Sequence, residues 1–117
     1  MADSLAELQE ALDAVIEERD WAQFHAPKNL AMSVAIEAAE IMEHFQWCST
    51  EESYALPKDK RAEVANEIGD VLMYLLGLGR VLDIDVIAAA RDKLVLNRAK
   101  YPVEKAKGRA VKYVDLD

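Results

Sequence analysis

Two pairs of acidic residues have the types and spacing best suited to chemistry, Glu37-x-x-Glu40 and Glu67-x-x-Asp70. Residues three apart on a helix are surface neighbours, so each pair makes one small carboxylate patch. Two helices packed antiparallel would bring the patches face to face. Four carboxylates sharing an apolar groove repel one another, and desolvation raises their hold on protons. A divalent cation removes that conflict. An all-oxygen, carboxylate-rich set suits a hard ion such as Mg²⁺, with Mn²⁺ as a substitute. The ordinary reading of acids at this spacing is a solvated helix face, and angular position argues against it. At about 100° per residue, Glu37 shares a stripe with Leu30, Val34, Ile41 and Cys48, and Glu67 shares one with Val64, Val71, Tyr74 and Leu78. A carboxylate inside an apolar stripe is costly unless paired or metal-bound.

The elements that must position these acids follow from periodicity. Ser4 and Glu7 form a capping-box pattern. Leu5, Leu8, Leu12, Val15 and Ile16 then mark an amphipathic helix running to about Trp21. Pro27 disfavours helix at Ala26, so Trp21 to Pro27 is an aromatic-rich turn. It reads either as a hydrophobic plug, with His25 a satisfied polar tip, or as a wall that stacks a planar ligand. A second helix is predicted from Lys28 or Asn29 to about Trp47. Its other face, Ala31, Met32, Ala35, Ala39 and Met42, is also apolar. Ser49 to Glu52 caps a short turn. A third helix spans about Lys58 to Leu82 with Gly69, Gly77 and Gly79 inside it. Glycine in a helix costs about 1 kcal/mol relative to alanine, which points to close approach by a neighbouring helix. So short a chain has too few helices to cover these apolar faces, and an oligomer is expected. Asp85 caps a fourth helix, Val86 to about Lys100, that stops before Pro102. On it Lys93, Asn97 and Lys100 share a face, either a solvated cationic edge or a stripe that holds phosphate oxygens. The tail, 103–117, is expected to be extended or partly disordered.

The 117 residues make one domain with a modest core. A net charge of −8 and a pI near 4.7 disfavour binding to nucleic acid polymers or anionic membranes, which need an electropositive face. Cys48 is the only cysteine, so no internal disulfide or zinc framework is expected, and its stripe makes it a small buried hydrophobe. The first ten residues are acidic without an apolar run and are not expected to be a secretory signal. The most apolar segment, Ile68 to Leu82, contains Asp70 and Arg80 and is too short to span a bilayer. A soluble, cytoplasmic protein is expected.

Taken together, Trp21-x-x-Phe24-His25-x-Pro27-x-Asn29, Glu37-x-x-Glu40, Phe45-Gln46-Trp47, Glu67-x-x-Asp70-Val71-x-x-Tyr74 and Lys93-x-x-x-Asn97-Arg98-x-x-Tyr101-Pro102 resemble the MazG-like all-α nucleoside triphosphate pyrophosphohydrolases. The resemblance is strongest to their dCTP pyrophosphatase branch and covers about Leu5 to Pro102. Broader MazG proteins carry a further Glu before the first pair; here that position is Ile36, as in the narrower branch. The resemblance implies a four-helix bundle that assembles into a homotetramer. It implies Mg²⁺-dependent hydrolysis of dCTP or a related deoxynucleoside triphosphate to the monophosphate and pyrophosphate. It assigns the metal to Glu37, Glu40, Glu67 and Asp70. It sets Trp21, Phe24, His25, Trp47 and Tyr74 around the nucleoside, with Asn29, Lys93, Asn97 and Lys100 as further substrate contacts. No Ser-His-Asp or Cys-His nucleophile is evident, which favours direct attack by water, with Glu37 and Glu40 as equal candidates to orient or deprotonate it. Two other classes compete. A di-iron bundle draws Glu-x-x-His from two of its helices, but His44 sits four residues after Glu40 and has no second copy. A non-enzymatic assembly module would use the acids in salt bridges between subunits, but gives no reason for Trp47, Tyr74 and Lys93 to flank them.

Overall fold

The structure is a computed structural model that describes residues 4–117; Met1 to Asp3, where the reading of the N-terminus begins, lie outside the described residues. Among the described residues the protein is all-α, with no strand. The elements are α1 (Leu5–Glu18), a 3₁₀ turn (Ala22–Phe24), α2 (Pro27–Phe45), α3 (Thr50–Ser53), α4 (Lys58–Leu82), α5 (Val86–Lys100), α6 (Val103–Ala106) and a second 3₁₀ turn (Tyr113–Asp115). Among the described residues no helix is long and apolar enough to cross a membrane. The chain forms two compact units, one up to Ile84 and one comprising Asp85–Asp117.

Local chemistry sets the helix ends. The Ser4 hydroxyl accepts the Glu7 N–H at 3.0 Å. Helix α1 stops at Glu18, short of the expected Trp21, because Asp20 adopts a left-handed φ of 53°. The Trp21 N–H then donates back to the Ile16 carbonyl at 3.0 Å, and the Asp20 N–H to that of Glu17 at 3.1 Å. That is a Schellman stop. Helix α4 ends the same way, with Asp83 at φ 54° and the Ile84 N–H donating to the Gly79 carbonyl at 2.8 Å. Pro27 occupies the first turn of α2, where its missing N–H is harmless. Ser49 and Glu52 complete a reciprocal capping box at the start of α3.

In the first unit α2 runs antiparallel to α4. Leu30 packs on Gly77 at one end of the pair, and His44 meets Lys60 and Glu63 at the other. Helix α1 lies along α4 in the same direction. Gln9 Nε2 donates to the Leu76 carbonyl at 3.3 Å, and Arg80 pairs with Asp13 at 3.2 Å and Glu17 at 3.4 Å. Those pairs explain an arginine in the most apolar segment. Leu12, Ile16, Leu30, Val64 and Leu76 are the buried apolar side chains of these three helices.

Two expectations need correction, those for Cys48 and for the tail, while the close approach expected at the glycines is left to a helix of another copy: among the described residues nothing lies within 4 Å of where a Gly69 side chain would begin. At Gly77 an added methyl would touch the Leu30 side chain at 3.9 Å, an ordinary contact. Cys48 lies past the end of α2 and is half-buried, its thiol donating to the Phe45 carbonyl at 3.3 Å. In the second unit the tail is not simply extended. It carries α6 and a 3₁₀ turn, and the Tyr113 N–H donates to the Tyr101 hydroxyl at 3.2 Å while their rings pack edge to face at 6.3 Å.

Candidate active site

The antiparallel register decides which acids meet. With Leu30 beside Gly77 and His44 beside Glu63, the same offset sets Glu37 across from Asp70 and Glu40 across from Glu67. The electrostatics agree. Glu37 is held above the ordinary carboxylate range, first by desolvation, then by a hydrogen bond shared with Glu40 and by the charges of Glu40, Asp70 and Glu67. One of its oxygens, Oε2, is buried with no hydrogen-bond partner. Glu67 Oε2 is buried as well. It touches His44 Nε2 in an ion-pair contact, off the line of a hydrogen bond and with no other donor. Among the described residues, no group of three or more His, Cys, Asp and Glu side chains is arranged to hold a metal ion as it stands. The four carboxyls are therefore crowded along a seam rather than closed into a cage.

The donor chemistry fits a hard cation. Mg²⁺ keeps several waters and takes one or two carboxylates plus phosphate oxygens, and rarely uses an all-protein cage. An orphaned, buried carboxylate oxygen among like charges is the feature that such an ion satisfies.

A cavity of about 310 Å³ opens beside the seam in the first unit. Asp70 forms part of its wall, with Tyr74 from α4, Trp21 and His25 from the aromatic turn, and Leu12 and Ile16 from α1. His25, another residue of the wall, has a buried Nδ1 without a partner. Aromatic faces with a few polar groups suit a flat, partly polar ligand. The α1 residues of this wall are legible in the sequence only as core positions, since an amphipathic stripe does not reveal that it stops short of filling the space behind it.

The remaining predicted contacts are dispersed. Phe24 and Asn29 are exposed. Trp47 is 89% exposed and outside the cavity wall. Lys93, Asn97 and Lys100 lie on α5 in the second unit, where Lys100 Nζ sits 4.7 Å from the centre of the Tyr113 ring. His44, whose ring touches Glu67, and Lys60, whose ammonium group touches that ring, are contacts that helix periodicity alone does not single out.

Residues 32–116 match the MazG-like family. The chain is 43% identical over 101 residues to dCTP pyrophosphatase 1 of Mus musculus, covering 85% of this chain and 59% of that protein. It is 37% identical over 101 residues to dCTP pyrophosphatase 1 of Homo sapiens, with the same coverage. The chain thus spans about three-fifths of the length of these curated relatives. The crystal structure of a pyrophosphatase from Archaeoglobus fulgidus is similar at a TM-score of 0.78 and 42% identity, covering 84% of this chain and 92% of that one.

Proposed function

The chain belongs to the MazG-like family, and on that premise we propose that it is a divalent-metal-dependent nucleoside triphosphate pyrophosphohydrolase acting on dCTP or a related deoxynucleotide. The observation that carries the reading is the facing of Glu37 and Glu40 on Asp70 and Glu67, with Glu37 Oε2 buried and unpartnered beside an aromatic cavity. In this reading the four carboxylates hold Mg²⁺ or Mn²⁺, which supplies charge neutralisation at the phosphate oxygens and acidifies a bound water. Tyr74, Trp21 and His25 hold the nucleoside in the cavity, and its orientation directs the triphosphate along the α2–α4 seam. A carboxylate of the Glu37–Glu40 pair accepts the proton of the attacking water. Cleavage at the α-phosphorus then releases the monophosphate and pyrophosphate.

The protein acts as a homo-oligomer, a tetramer in this reading, and the substrate is a free nucleotide. Relatives named dCTP pyrophosphatase 1 support the choice of base. The salt-bridge module is the weaker reading, since salt bridges between subunits give no reason for an aromatic-walled cavity beside the acids.

The test is a screen of nucleoside triphosphates with Mg²⁺, resolving the products. Monophosphate and pyrophosphate in equal amounts, with deoxycytidine nucleotides preferred, are expected. Release of orthophosphate, or no turnover of any nucleotide by folded protein, overturns the proposal.

A further inference from the structure

We propose that His44 is a positioning residue that orients Glu67 for the metal, and that Lys60 selects the imidazole tautomer able to do so. The inference rests on the reading of Glu67 as a metal ligand. His44 lies one helical turn after Glu40, and its side chain is only 15% exposed, so the ring is confined. Its Nε2 is in contact with Glu67 Oε2, an oxygen with no other partner. Two lone pairs repel at contact distance, so one of the two atoms carries a proton, although the contact lies off the line of a hydrogen bond.

Lys60 decides which atom carries that proton. Its Nζ lies 3.3 Å from His44 Nδ1. An ammonium group has donors and no acceptor, so Nδ1 must accept. The proton of the neutral ring is then on Nε2, facing Glu67. A protonated Glu67 donating to Nε2 would require Nδ1–H pointing at the ammonium and is excluded. Glu63 Oε2 would favour the opposite tautomer, but it is 3.6 Å from Nδ1, beyond hydrogen-bond reach, and 3.5 Å from Lys60 Nζ. The chain of contacts runs from Lys60 through the ring to one Glu67 oxygen, and leaves the other oxygen for the cation. Carboxylate ligands are themselves held by such partners, whose loss lowers metal affinity about 10- to 100-fold.

Mn²⁺ affinity, read without nucleotide from the loss of the free-ion electron paramagnetic resonance signal, tests the proposal. His44→Leu should weaken binding about 10- to 100-fold. His44→Gln, whose amide nitrogen reaches the Nε2 position, should restore most of it. His44→Asn, which reaches only the Nδ1 position, should not. A purely structural histidine gives no such contrast, and Gln and Asn proteins that bind alike overturn the proposal. That contrast remains decisive if His44→Leu does not fold. Unchanged Mn²⁺ affinity in Glu67→Gln instead overturns the ligand assignment underneath. Nitrogen NMR of the histidine rings should find the His44 proton on Nε2 in the wild type; a proton on Nδ1 overturns the role given to Lys60.

Discussion

Glu37 shares its seam with three other carboxyl groups, and the folded protein therefore holds its proton to a higher pH than the unfolded chain does. Protonation then favours the fold. The stabilisation is complete below the ordinary glutamate value of about 4.3 and is lost as pH rises through the raised folded value. In the presence of a chelator, thermal stability should fall across that window, and Glu37→Gln should flatten the dependence and match or exceed the wild type at neutral pH. Turnover should be abolished. A marked loss of chelator-treated stability in Glu37→Gln would identify the carboxylate as a structural partner instead. Mg²⁺ reverses the sign, because it binds the deprotonated acids, so its stabilising effect should grow with pH. Base recognition is argued from the two tryptophans. Trp21 lines the cavity, and stacking on a base is worth roughly 1–3 kcal/mol. Trp21→Ala should weaken calorimetric binding of dCTP about 10- to 100-fold and leave bare triphosphate nearly unaffected. Trp47→Ala should leave the melting temperature unchanged, because its ring is exposed, and should weaken dCTP binding less than Trp21→Ala, because Trp47 is outside the cavity wall. A lower melting temperature with equal losses for both ligands would make Trp47 a packing residue.

At the scale of elements, punctuation explains what can be read directly. Lys58–Leu82 and Val86–Lys100 are legible because Pro57, Asp85 and Pro102 bound them, and the acid pairs are legible because they interrupt apolar stripes. The end of α1 is not, since Asp20 takes a left-handed conformation where glycine is the usual signal. Nor is α6, whose surroundings are held by a contact between Tyr101 and Tyr113 rather than by any period. The His44–Glu67 contact is hidden for a different reason. Ligand spacing is a test within one helix, and this pair crosses between two. The paired Schellman stops make a graded prediction. Asp83 sits at φ 54°, a conformation that costs an L-residue roughly 1–2 kcal/mol and asparagine or aspartate less. After the entropy of glycine is subtracted, Asp83→Gly should gain at most roughly 0.5–1 kcal/mol, up to a few degrees of melting temperature. Asp20→Gly should gain less, because Asp20 Oδ2 accepts from Gln23 at 3.2 Å. Equal or negative effects at both sites would show that the left-handed turns are not limiting.

The whole molecule presents more apolar surface than a short chain covers. Met32, Ile36 and Met42 on α2 are 50%, 58% and 70% exposed, and Ile68 on α4 is 55% exposed. Apolar patches of this kind mark association surfaces. Light scattering at low micromolar concentration should find no folded monomer, and Ile36→Glu should dissociate the assembly. Gly69→Ala gives an independent measure. Facing open space within the chain, it should gain about 1 kcal/mol of helix stability in an isolated subunit. Packed against another copy it should instead weaken assembly, and higher stability with unchanged association would remove that face from the interface. The placement of the only two tryptophans has an optical consequence. One indole stands in solvent and the other at the cavity wall, so the protein carries two emitters of unlike environment and needs no attached dye. With Trp47→Phe the remaining emission comes from Trp21 alone, and its quenching as a nucleotide is added would follow occupancy of the cavity in real time, separately from any chemistry at the carboxylates.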